Sequence, residues 1–182
     1  MKIWQSVHFP IILSSQDNSP ASKIEYVMNM EELLPDSLIA KHLPCDYADS
    51  YAKVVSCREP LTADVFFDMA FNRPSYWGKK LLRMRDRLVK PLKLKAVGCM
   101  SDMICEQDAR EIIFGKADRH LTFHTSLLCG KHSGGRQELR ITTVVKFHHV
   151  LGRVYFFFVR PFHVVIVRSL LRRVVKNLPP SL

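Results

Sequence analysis

The chain has 182 residues, 47 % of them apolar and 24 % charged, with a net charge of +10. That length suits one domain able to bury roughly 70 % of its unfolded surface, and the balance excludes a disordered segment or a small fold that needs disulfide staples. The charge is uneven: from Lys131 to Leu182 ten Lys or Arg face a single acid, Glu138. Such asymmetry suits an acidic protein partner or an anionic membrane surface, and equally a solvated basic face that serves solubility. No nucleic-acid motif accompanies it.

At the N-terminus Lys2-Ile3-Trp4-Gln5 leads only to a short apolar stretch broken by His8 and Pro10, which does not read as a signal peptide. The five cysteines, Cys45, Cys57, Cys99, Cys105 and Cys129, include no C-x-x-C pair and are odd in number, as expected of reduced thiols in a cytoplasmic protein. Ser14 to Pro20 has loop composition. Residues 1–30 are therefore expected to form an arm, part of it mobile, and 31–182 one domain.

A short helix is expected over Glu31–His42, interrupted near Pro35, and an extended stretch from Pro44 through Val55. Thr62 is a suitable N-cap for a helix whose apolar face carries Val65, Phe66, Met69 and Ala70, with Pro74 ending it. Ser75 can cap a second helix, on which Trp77, Leu81, Met84 and Leu88 make a stripe that faces the core. The period then changes. Arg110–Phe114 is strand-like, and His120–Leu127 and Gln137–His148 alternate with period 2, the mark of antiparallel strands with one buried face. Lys131-His132-Ser133-Gly134-Gly135 supplies a hairpin connection between them.

Gly152–Asn177 fits a long helix, with Phe156, Val159, His163, Ile166, Val167, Leu170 and Val174 within an arc of roughly 100°. Pro161 should kink that helix or begin its main part. Its stretches free of Arg and Lys are six and seven residues long. Against the roughly 20 residues of a membrane span, these exclude a crossing.

Several segments together resemble a known family. Phe67-Asp68-Met69-Ala70-Phe71-Asn72-Arg73-Pro74, Arg85-Asp86-Arg87-Leu88-Val89-Lys90-Pro91-Leu92, Asp118-Arg119-His120-Leu121-Thr122-Phe123, Leu151-Gly152-Arg153-Val154-Tyr155 and Arg160-Pro161-Phe162-His163 are similar, in order and spacing, to the uncharacterised bacterial domain-of-unknown-function family 2867. The resemblance spans about residues 44–176. It implies an α+β helix-grip fold like that of START domains and the birch-pollen allergen, a curved antiparallel sheet wrapped around a long C-terminal helix and often enclosing an apolar cavity. It implies no activity, since such folds host carriers, receptors, cyclases and hydrolases.

The candidate chemistry is sparse. His120 and His124 would stand roughly 13 Å apart on a strand, too far for one metal ion, so no metal or other cofactor is expected. Asp118-Arg119-His120 is either a polar cluster at a strand start or a turn stabilised by Asp118. Arg83, Arg85, Asp86 and Arg87 could clamp an anion or pair locally, and Arg153 and Arg160 carry the same ambiguity. His163 lies on the apolar helix face and needs a partner, either a ligand or a core hydrogen bond to a strand or to Tyr155. There is no P-loop, G-x-S-x-G, H-E-x-x-H or EF-hand loop, and the seven glycines cannot be arranged as G-x-G-x-x-G.

Three readings follow. The first is a module binding an apolar or amphipathic small molecule, with His163 and Tyr155 as polar anchors and Phe156, Val159, Val167, Phe123 and Phe147 as walls. The second is an enzyme doing acid–base chemistry in the same place through His163 or His120, oriented by Asp118 or Asp86. The third is an interaction protein whose basic C-terminal helix meets an acidic partner or an anionic membrane.

Overall fold

A computed structural model describes residues 25–27, 36–72 and 100–178. Six strands form one antiparallel sheet: β1 (Glu25–Val27), β2 (Tyr47–Ser56), β3 (Ile104–Gln107), β4 (Glu111–Ala117), β5 (Leu121–Cys129) and β6 (Arg136–Phe147). Their spatial order is β1-β2-β6-β5-β4-β3. The fold is thus α+β, an antiparallel sheet covered on one face by a long C-terminal helix, which is the helix-grip arrangement. Strand β1 falls within the residues read as an arm and adds a short edge beside β2.

The β5–β6 hairpin forms where Gly134 and Gly135 supply positive φ, 57° and 71°, which residues with a Cβ rarely adopt. Thr62 caps α1 (Ala63–Phe67), accepting from the Val65 N–H at 3.5 Å, and the chain continues as a π-helical turn, Asp68–Asn72. That cap matches expectation, and so do buried Phe66, Met69 and Ala70 of the expected apolar face, but not Val65. Ala63 and Phe67 are buried with them, and Val65 is exposed. The second helix expected after Ser75 lies outside the described residues.

Over much of β2, β4, β5 and β6 the strands correct a second expectation, since they are buried there on both faces rather than one. The helix side carries Tyr51, Ile112, Leu127, Leu139 and Ile141, packed with α1 and the C-terminal helix. On the other side Ile113 and Val144 pack against Ile39 of a 3-10 turn, Leu38–His42. A buried carboxyl fixes that turn: Glu111 accepts from Ser37 Oγ at 2.7 Å, the Leu38 N–H at 2.7 Å and Ser126 Oγ at 2.5 Å.

The C-terminal helix, α2, spans Val150–Asn177. Gly152, Phe156, Val167, Leu171 and Val174 are its buried positions, while Ile166 and Leu170 are only partly covered. The inward face is therefore rotated toward Leu171, and Gly152 seats the first turn against the His120 carbonyl. The helix runs through Pro161 rather than beginning there, with the proline exposed. By length and composition α2 also matches a membrane-crossing helix, with a mean hydropathy of 1.6 over eighteen residues. This corrects the inference from uncharged run lengths. In the fold, however, the inner side of α2 packs on the sheet.

Candidate functional site

The site is built by strand register. Odd-numbered residues of β2 face α2, because side chains alternate along a strand. Asp49 is one of them, between Tyr47 and Tyr51. Pairing sets Asp49 opposite Thr143 of β6, and Thr143 opposite Thr125 of β5. All three are buried, and the two threonine hydroxyls lie 3.3 Å apart. A polar row thus crosses three strands on the face that meets the helix.

Apolar clusters flank this row. On one side are Tyr51, Ile141, Leu127 and Ile112 with Val167, Leu171 and Val174 of α2. On the other, Leu121, Val145 and Phe156 are buried, with Tyr47, Phe123, Phe147 and Tyr155 packed against them. The Phe156 ring is 4.6 Å from Tyr47 and 5.5 Å from Phe147, centroid to centroid.

His163 meets the row from the helix. Its Nε2 lies 3.3 Å from Asp49 Oδ1 and 3.2 Å from Oδ2. Asp49 has a wholly buried side chain, whereas that of His163 is 19 % exposed, so the imidazole links the buried acid to the surface. Tyr47 donates its hydroxyl to Asp49 Oδ2 at 2.9 Å. Burial first, then the adjacent Asp49 carboxylate, pushes the Tyr47 phenol up, so it remains a donor. Arg160 opposes that shift, with its guanidinium 5.3 Å from the Tyr47 ring centroid. With a proton on Nε2 directed at Asp49, the lone pair of His163 falls on Nδ1.

Of the residues singled out in the sequence, His163, Phe156, Phe123, Phe147, Tyr155 and Arg160 lie around this junction, while Val159 is partly buried and belongs to neither apolar cluster. Val167 belongs to the first cluster. The partner of His163 is Asp49, a strand residue, and not Tyr155. Asp118 does not orient His120: its carboxyl accepts from the Arg119 N–H at 2.5 Å, and its backbone N–H bonds the Leu121 carbonyl at 2.9 Å, closing a turn. His120 lies in that turn rather than on a strand, its ring edge-on to His149 at 6.3 Å. Asp86, with the neighbouring arginines, lies outside the described residues. Among the described residues no three His, Cys, Asp or Glu side chains gather as a metal site would need.

Sequence reading missed Asp49 and Tyr47. The signal was present: Asp49 interrupts the aromatic positions Tyr47 and Tyr51 on a face that period 2 turns inward.

The fold and this junction define a sheet-and-helix α+β domain with a part-buried acid–imidazole pair where the two layers meet. A family model matches residues 43–170, more than two thirds of the chain, and the chain belongs to that family, described as Protein of unknown function (DUF2867). No curated protein and no solved structure matched the chain.

Proposed function

We propose that this domain binds a small amphipathic molecule where α2 crosses the sheet, with its polar end at Asp49, His163 and Tyr47 and its apolar part against Phe156, Phe123 and Phe147. The observation that carries this is the polar row Asp49, Thr143 and Thr125 on the face that meets the helix. A sheet that needed only to pack its helix would be more stable with apolar residues there, because buried polar groups stabilise little even when satisfied. Apolar walls with a few convergent polar groups are what small-molecule sites offer.

Native mass spectrometry of the gently purified protein, set against its denatured mass, tests the reading. The expected result is a reproducible extra mass that Asp49→Asn and His163→Ala each remove while the fold persists. An extra mass retained by both variants would sink the assignment.

The contact between His163 and Asp49 also favours a second reading, acid–base catalysis with His163 moving the proton and Asp49 orienting it. In that case the wild type chemically converts the recovered molecule and His163→Gln does not. Simple binding predicts recovery of the molecule unchanged from both.

A further inference from the structure

The outer face of α2 has no counterpart in the sheet-and-helix core. Val150, Val154, Phe157, Phe158 and Val165 are all exposed, Phe157 by 74 % and Phe158 by 54 %. At 100° per residue they fall within an arc of about 100°, so they form one continuous stripe about 23 Å long. Beyond Val165 the same arc carries Arg168, Arg172 and Lys176. The whole helix has six cations (Arg153, Arg160, Arg168, Arg172, Arg173, Lys176) and no acid. The Lys53 ammonium on β2 is held below its usual range by burial first and by Arg172 second.

We propose that this face docks on the surface of an anionic phospholipid bilayer, the apolar stripe entering the interface and Arg168, Arg172 and Lys176 meeting lipid phosphates. An exposed stripe containing phenylalanine, beside cations on one helix, is the composition of an interfacial helix. Pairing this face with the same face of a second copy would set Arg168, Arg172 and Lys176 against their own counterparts with no acid on either helix to neutralise them, which disfavours self-pairing. The helix lies on the membrane and does not cross it, because Phe156, Val167, Leu171 and Val174 stay packed against the sheet.

Co-sedimentation of the full chain with phosphatidylcholine vesicles, with and without phosphatidylglycerol, tests this. Binding only to the anionic vesicles is expected. It should weaken as salt shortens the screening length from about 10 Å at 0.1 M to about 3 Å at 1 M. Phe157→Ser/Phe158→Ser should bind about tenfold less, with unchanged circular dichroism and thermal unfolding because both rings are exposed. Arg172→Glu/Lys176→Glu should lose the salt-sensitive part. Absence of binding to anionic vesicles would overturn the proposal, as would equal binding by the Phe157/Phe158 variant. So would a wild-type dimer that this variant converts to monomer, since the stripe would then belong to a second copy.

Discussion

Gly152 and His120 are in direct backbone contact: a Cβ placed on Gly152 would stand 2.2 Å from the His120 carbonyl oxygen. That contact sets how closely the first turn of α2 lies on the sheet. Gly152→Ala should therefore destabilise the protein, although alanine favours a helix over glycine by about 1 kcal/mol. The obstacle is backbone, which cannot swing aside, so overpacking of about 3 kcal/mol outweighs that gain. Urea unfolding at constant m value measures the sign. A more stable variant would show that the helix start is free to shift.

The Glu111 carboxyl ties β4 to Ser37, Leu38 and Ser126 at once. Glu111→Ala leaves three donors facing a buried void and should cost about 3 kcal/mol, with Glu111→Gln costing about half as much because one amide N–H must face a donor. Hydrogen exchange distinguishes this from general loosening. In the alanine variant the amides of Leu38–His42 should open first, while those of β6 keep their relative protection.

Cysteine reactivity should follow burial. Cys129 is wholly buried, and burial, then neighbouring Cys57, pushes its thiol up to about 12. Almost none is thiolate at neutral pH, and the thiolate is the reacting form. Cys105 is exposed on β3. In a Cys99→Ser background, short alkylation of the native protein followed by peptide mapping should label Cys105 first and leave Cys129 unlabelled until denaturant is added. Labelling of Cys129 in the native state would mean that the sheet core opens under native conditions.

Much of this architecture was legible because periodicity reports burial directly. β5, β6 and the long helix followed from alternation and from the stripe through Phe156 and Val174. What escaped depended on contacts distant in sequence. Nothing local in Leu38–His42 says that it covers the back of the sheet, since the Glu111 that holds it lies more than seventy residues away. Strand β3 was missed because it is short and bulged between Ile104 and Glu106, so its alternation breaks. His163 could be flagged alone as a polar residue on an apolar face. Its partner needed the β2–β6 register, which no single segment contains.

That back cover also holds a pH-sensitive contact. His42, at the end of the 3-10 turn, stacks on His124 of β5 with ring centroids 3.7 Å apart, and Glu106 lies 3.7 Å from His42 Nε2. Burial first, then His42, holds the His124 imidazole below its usual range, with Glu106 partly opposing. The fold thus favours neutral His124, and the unfolded chain binds the extra proton. This contribution to stability is complete above the unfolded value of about 6.5 and is lost as pH falls through it toward the lower folded value. Glu106 adds a loss of the same sign below its ordinary range, because its hydrogen bond from Lys41 and nearby charges hold its carboxyl low. Thermal unfolding from pH 8 to pH 5 should therefore show a falling midpoint. His124→Gln should flatten that slope while lowering the midpoint at pH 8, where the stack is intact. An unchanged slope in the variant would place the acid sensitivity elsewhere in the molecule.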